Sequence, residues 1–464
     1  MSVKRNRYEI DMCNGSVLDK LISFSIPLML SGILQLLFNA VDIVVVGRFS
    51  GSQALAAVGS TTALISVFIN LFIGVSLGAN VLAARYYASG REKEMSETVH
   101  TAITFALISG IVMVFVGLLS SRGALELMDT PADVIDQSTL YMKIYFLGMP
   151  FFMLYNYGAA VLRAVGDTKR PLMFLIIAGV TNALLNLFLV IVMHMGVAGV
   201  AIATVFSQFI SCVLVLRCLY KSEGCYQLRF SKLSMKWCYL KPIFQVGIPA
   251  GIQSTVINFS NVLLQSSVNS FGSIAMAGYT AANNIFGFLF TSVNSVSQAC
   301  MSFTSQNYGV GNWKRMDKVL RNCILISMVV SLTLGGGAYI FGPQLLGIYT
   351  SDPAVIQCGM EILLYTTVTY FMCGLMDLIP GALRGMGCSA VPMLLSIIGT
   401  VGTRIVWIYW VFPKHRALDT LFISYPASWV ITVILQVICY YFVRKRVKRT
   451  LIAREQAQVK VESK

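Results

Sequence analysis

Gln35, Asn39 and Asp42 recur at i, i+4 and i+7 inside Leu21–Val46, a largely apolar run whose one charge is Asp42. That spacing puts all three on one face of a helix. Asn182 and Asn186 stand four apart in the uncharged run Pro171–Met193, Thr204 and Gln208 stand four apart further on, and Asn156 lies in another apolar run. Amide and hydroxyl oxygens with a single carboxylate suit a hard monovalent cation such as Na⁺. A lone carboxylate in apolar surroundings also favours its neutral form, so Asp42 could instead carry a proton. The plainer use of asparagine and glutamine is hydrogen bonding between neighbouring helices.

The second half of the chain carries a different set. Asn258, Asn261 and Gln265 recur at i, i+3 and i+7, and Thr291, Asn294 and Gln298 repeat the pattern. Such stripes can line a cavity with hydrogen-bonding groups for varied ligands. Arg404, in GTVGTRIVWIYW, has no acid on its own segment. A buried guanidinium needs a partner, and Asp377 on the adjoining apolar run is the expected one, as a structural or gating pair.

Enzyme chemistry finds little support. The three histidines (His100, His194, His415) form no HExxH, and no GxxxxGK[ST] phosphate loop is present. The expectation is a protein without cofactor, powered by an ion gradient. The eleven cysteines form no CxxC and fall mostly within apolar runs, as small buried hydrophobes do.

These residues need helices in a membrane to position them. Of the 464 residues 56% are hydrophobic and only 12% charged, about half the charge of a soluble chain. Mean hydropathy is +0.73. Runs longer than 20 residues without charge are long enough to cross about 30 Å of hydrocarbon. Twelve spans are predicted, near 21–46, 54–81, 99–119, 138–162, 171–193, 197–218, 243–269, 275–303, 319–347, 356–382, 390–411 and 418–443. The polar start MSVKRNRYEIDM leads into a first span too long for a secretory leader. With both ends on one side, that side collects 29 of the 35 basic residues. The positive-inside rule makes it the cytoplasmic face of a multi-pass protein of the cell (inner) membrane. The net charge of +15 therefore reflects membrane topology and not nucleic-acid binding. The cluster VRKRVKR at 443–449 is expected to meet anionic lipid.

An internal ruler runs through the chain. Arg163, Gly166 and Pro171 match Arg384, Gly387 and Pro392 at an offset of 221, and Ile26-Pro27 matches Ile248-Pro249 at 222. Each Arg is expected at a cytoplasmic corner, bonding helix C-terminal carbonyls, with each Gly allowing the turn. The division implied is a six-helix lobe at 1–220, a linker at 221–240, a second six-helix lobe at 241–443 and a basic tail at 444–464. Six is even, so both copies share one orientation. An all-α polytopic protein with two pseudo-two-fold-related lobes in parallel repeat suits a substrate path between lobes.

Several motifs together resemble the multidrug and toxic compound extrusion (MATE) transporters, bacterial branch, over nearly the whole chain. They are Gln35…FNAVDIVVVGR, ALAAVG at 54–59, LRAVGDTKRP, NALLN at 182–186 and GVAGVAIAT at 196–204, with IPAGI, AMAGYTAANN and LRGMGCSAVP in the second half. The resemblance implies antiport of amphipathic or cationic compounds against H⁺ or Na⁺ by alternating access, in a protein acting as a monomer among membrane lipids. It implies coupling at Asp42, with Asn156, Asn182, Asn186 and Thr204 around it and a possible Na⁺ at Asp42, Asn182 and Thr204. Many relatives carry a second carboxylate where this chain has Asn186. Gln35, Asn39, Asn258, Asn261, Gln265, Asn294 and Gln298 would line the substrate cavity. The other function open to this architecture is a flippase for a lipid or lipid-linked oligosaccharide, whose pyrophosphate would call for arginines inside the first lobe.

Overall fold

A computed structural model describes residues 7–128 and 130–462; residues 1–6 and 463–464, at the two ends assigned to the cytoplasm, lie outside it. The elements of the first half are α1 (Val17–Phe49), α2 (Ser52–Ala88), α3 (Glu92–Glu126), α4 (Ile135–Leu147), α5 (Met149–Ala164), α6 (Lys169–Asn186) and α7 (Gly196–Lys221). The second half holds α8 (Trp237–Asn269), α9 (Ser273–Gly309), α10 (Trp313–Ile340), α11 (Gly342–Gly347), α12 (Pro353–Thr367), α13 (Tyr370–Gly385), α14 (Ala390–Ser396), α15 (Thr403–Val406) and α16 (Leu418–Glu462). Helix is what hydrocarbon demands, because each backbone N–H and C=O must find its partner within the segment.

Eight of these segments are long and apolar enough to cross a membrane alone, and two bent pairs bring the number to ten among the described residues. Helices α8 and α9 carry the Asn, Gln and Thr stripes and fall outside that set. Counting each bent or interrupted helix once, the architecture is twelve spans in two six-helix lobes. The fourth span of each half is bent, by 46° between α4 and α5 and by 49° between α12 and α13. In the first, Pro150 at the start of α5 removes a backbone donor. In the second, the hydroxyls of Thr366, Thr367 and Thr369 donate to carbonyls four residues back, at 2.6, 2.6 and 2.7 Å, which competes with the helical ladder. The fifth span of each half passes into π-helix, at Leu187–Val192 and again at Ile397–Gly402.

The chain forms two compact units whose boundaries do not follow chain order. One comprises Leu30–Ile248 with the segment ending at Ile10; the other comprises Asp11–Met29 and Pro249–Lys464. Helices α1 and α8 each change unit near the repeated Ile-Pro pair, between Met29 and Leu30 and between Ile248 and Pro249. Accordingly Phe244 on α8 packs edge-on against Phe105 of α3, ring centroids 5.1 Å apart, and Phe24 on α1 packs against Phe303 of α9 at 5.6 Å.

The repeated Leu-Arg-x-x-Gly corners are helix C-caps. Gly166 (φ +98°) donates to the Arg163 carbonyl, and the Asp167 N–H reaches back to Leu162; Gly387 (φ +87°) and Cys388 do the same to Arg384 and Leu383. This is the Schellman arrangement, which needs a left-handed residue. The expected role of the second arginine does not hold. Arg384 is 7% exposed and turns inward, donating from Nη2 to Gln253 Oε1 at 2.7 Å. The tail continues α16 as one helix to Glu462. Arg444 grips Asp317 with two bonds of 2.5 and 2.6 Å, and the Lys448 ammonium lies 4.1 Å from the Trp313 ring centre. Part of that basic cluster thus engages α10.

Gly166→Ala and Gly387→Ala should each lower the thermal unfolding midpoint in detergent. Both place an L-residue at positive φ, a cost of about 1–2 kcal/mol. At Gly166 the new Cβ would also meet the Ile10 carbonyl oxygen, at 2.5 Å. Equal midpoints for both variants and the parent would refute this account of the corners.

Candidate functional site

Asp42 is 8% exposed, and its carboxylate is bonded by neutral groups from two other helices. Asn186 Nδ2 donates to Oδ1, and the Thr204 hydroxyl lies 3.3 Å from Oδ2. Asn186 Nδ2 also reaches Asn182 Oδ1 at 3.2 Å, and Asn182 Nδ2 lies 3.5 Å from Thr204 Oγ1. Four residues from α1, α6 and α7 therefore close a ring. Each enters it for a local reason. Asn182 and Asn186 stack one turn apart on α6, and Asn186 sits where that helix widens into π-helix. Thr204 is held by its hydroxyl contact to the Val200 carbonyl at 3.0 Å. Gly179, one turn before Asn182, leaves room for the Phe38 ring of α1, since a Cβ there would fall 1.7 Å from it.

The ring opens on a cavity of about 400 Å³ within the first unit. Gln35 and Asn39 line it from α1, Asn156 from α5, and Gln208 from α7. Asn156 Nδ2 donates to its own helix, to Phe152 O at 2.9 Å, and stays outside the ring. Tyr141 and Tyr145 also line the cavity; sequence reading missed them, although their i, i+4 spacing in an apolar run was available. Among the described residues no Lys, Arg or His lines the cavity.

Two observations bear on whether this donor set fits a small cation. Asn186 Oδ1 is buried with no hydrogen-bond partner, so one hard oxygen remains free beside the carboxylate. No group of three or more His, Cys, Asp or Glu side chains occurs among the described residues. One carboxylate with amide and hydroxyl oxygens fits a monovalent ion, and equally a proton on the carboxylate. It does not fit a divalent metal, whose sites gather more negative charge.

In the second unit the expected cavity residues separate. Asn294 Nδ2 donates to Asp377 Oδ2 at 2.8 Å, and Gln298 Nε2 donates to Asn294 Oδ1 at 2.9 Å. Arg404, 3% exposed, donates from Nη1 to Asn261 Oδ1 at 2.7 Å, and its guanidinium lies 4.6 Å from the Tyr425 ring centre. The expected Asp377–Arg404 ion pair is therefore not formed. An amide oxygen and an aromatic face meet the arginine, whose Nε stays buried without a hydrogen-bond partner among the described residues, and an amide N–H meets the acid. Asn258 and Gln265 join neither cluster.

A six-helix lobe holding a cavity that ends on a buried carboxylate, in a chain that repeats the lobe, is the architecture of a membrane transporter. Comparison with known proteins agrees. A family model described as MatE matches residues 27–188 and 249–410, two matches that begin 222 residues apart, the spacing of the repeated Ile-Pro pair. The chain belongs to this family, the MATE transporters. It is 29% identical over 434 residues to the probable multidrug resistance protein YoeA of Bacillus subtilis, covering 91% of this chain and 93% of that protein. It is 27% identical over 454 residues to the probable multidrug resistance protein NorM of Thermotoga maritima, covering 95% of each. A solved multidrug resistance MATE family transporter in an outward-facing conformation shares the fold, with TM-score 0.88 at 19% identity over 97% of this chain and all of that one.

The separation of Arg404 from Asp377 predicts additivity. Losses of stability from Arg404→Ala and Asp377→Asn should sum to within about 0.5 kcal/mol, whereas Arg404→Ala and Asn261→Ala should fall short of their sum. Chemical denaturation of the four-variant cycles measures both; coupling of the first pair would restore the ion pair. Separately, Gly179→Ala should impair transport more than Phe38→Ala, and the double variant should recover part of the loss.

Proposed function

We propose that this protein is a secondary antiporter that exports amphipathic and cationic compounds in exchange for H⁺ or Na⁺. The observation carrying the proposal is the ring of Asn182, Asn186 and Thr204 around a buried Asp42 that has no cationic partner among the described residues. An ionised carboxylate without a counter-charge is costly in a medium of low polarity. A proton or a monovalent cation removes that cost, and so does re-exposure to water, which ties the charge state of Asp42 to the conformation around it. Asn186 and Thr204 donate to the carboxylate when it is charged, and the free Asn186 oxygen offers a ligand to whichever ion neutralises it. Where the second carboxylate of many relatives would stand there is an amide, so a single positive charge suffices.

The cavity beside the ring is the entry for substrate. Its tyrosines and phenylalanines offer flat apolar faces to aromatic cations, while Gln35, Asn39, Asn156 and Gln208 supply hydrogen bonds in several orientations. A lining without Lys or Arg gives a lipid pyrophosphate nothing to bind, which argues against the flippase. The relatives named as multidrug resistance proteins support export of drug-like compounds. Alternating access between the lobes, a monomeric state and cytoplasmic termini complete the proposal.

Proteoliposomes loaded with a fluorescent organic cation test it under separately imposed Na⁺ and pH gradients. One of the two gradients should drive transport, and Asp42→Asn should reduce driven transport at least about a hundredfold while leaving expression and the unfolding midpoint intact. Asn186→Asp should shift preference toward ions of higher charge. Undiminished transport by the Asp42 variant would remove the coupling assignment.

A further inference from the structure

The linker joining the two halves is pinned to the end of α3 at two points. The Arg229 backbone N–H donates to His100 Nε2 at 3.1 Å, and the Lys236 N–H reaches Thr101 Oγ1 at 3.4 Å. Both anchors are buried: His100 is 2% exposed and Thr101 is fully buried. His100 is held in turn by its Nδ1, 2.6 Å from the Ser96 carbonyl, so the ring donates there and accepts from Arg229. Two neighbouring residues thus hold positions seven apart, and the segment between them arches outward through a short 3₁₀ turn, Phe230–Lys232. Beneath the arch lies a cavity of about 750 Å³.

The charge and surroundings of this cavity say what it would hold. Lys93, Arg229, Lys232 and Lys236 line it against Glu92 and Glu97, leaving two positive charges in excess. Glu97 is committed to Lys236 at 2.6 Å, while Lys93 and Lys232 are exposed and in no ion pair among the described residues. Ser96, Ser231 and Ser234 add hydroxyls. The flank of the arch is apolar. Phe230 stacks on Tyr220 with centroids 5.8 Å apart, and Phe230, Met235 and Trp237 are 56%, 48% and 64% exposed. Large exposed aromatics beside lysines are the composition of a membrane interface. Length places them there as well. The 35 residues of α3 span about 52 Å, and only about 30 Å of that fits in hydrocarbon. Its first turns, which carry Lys93 and Glu97, therefore stand at or beyond headgroup level on the side rich in basic residues.

We propose that the arched linker and the start of α3 form a binding site for the phosphodiester headgroup of an anionic membrane lipid. Lys93, Arg229 and Lys232 contact the phosphate, and Phe230 and Trp237 rest among the upper acyl chains. The site lies apart from the Asp42 ring and is independent of the antiport proposal. A soluble phosphate would use the same cations but gain nothing from the aromatic flank.

Native mass spectrometry of the full chain in mixed micelles tests this, with phosphatidylglycerol titrated against phosphatidylcholine. The parent should retain phosphatidylglycerol preferentially. Lys93→Gln with Lys232→Gln, both at exposed positions, should weaken that retention roughly tenfold to thirtyfold. Lys445→Gln with Arg446→Gln, which neutralises the tail to the same extent, should change it less than about threefold. Unaltered retention in the linker variant, or an equal loss in the tail variant, would overturn the site. Displacement of the lipid by inorganic phosphate at millimolar concentration would overturn the choice of lipid as ligand.

Discussion

A carboxylate held in apolar surroundings with only neutral donors around it is the constraint on which the first lobe is organised. Asp42 needs hydrogen bonds to be tolerated at all, and they come from helices that are remote in sequence: Asn186 from α6 and Thr204 from α7. Supplying them requires α1 to lie close to α6, which the Gly179 notch against Phe38 allows. It also requires the amides of α6 to face inward at the point where that helix widens into π-helix. The ring is complete as a hydrogen-bonding circuit and contains a single titratable group.

The second lobe meets the same solvent constraint differently. It is the same fold repeated, with matching bent fourth spans, matching π segments and matching Schellman corners, but its charges are placed for containment. Arg404 is held by Asn261 and the Tyr425 face. Arg384 donates to Gln253, which itself donates to Ser396 at 3.1 Å. Asp377 takes the place that Asn156 holds in the first lobe and is met by Asn294. Ring closure around a lone acid occurs in the first lobe, whereas the second spreads its polar groups over separate clusters. The repeat preserved the scaffold and let the interiors diverge, because packing of apolar helices tolerates exchange of a few polar residues as long as each finds a partner.

Interfacial parts of the chain follow a third logic, that of charge and aromatic placement. Both basic clusters lie on the side that the positive-inside rule assigns to the cytoplasm, but they are used differently. The tail continues α16 and binds back onto α10 through Arg444 and Lys448, while the linker is held by its backbone and by Lys236, and leaves Lys232 exposed.

Much of the architecture was legible in the residues alone. Apolar runs of span length, the imbalance of basic residues and the 221-residue ruler identified a twelve-span, two-lobe transporter. Helical periodicity likewise put Asn182 with Asn186, and Gln35 with Asn39 and Asp42, each set on one face. Partnership was beyond it. Periodicity names the face a side chain occupies but not the helix opposite, and a membrane interior demands only that each polar group be satisfied, without saying by which neighbour. Tertiary packing therefore decided that Asp42 meets Asn186 and Thr204, that Arg404 turns to Asn261 and Tyr425 and away from Asp377, and that Arg384 faces inward. It also decided that α1 and α8 change unit near their Ile-Pro pairs, because a continuous helix can pack against different neighbours along its length and its sequence carries no mark of which.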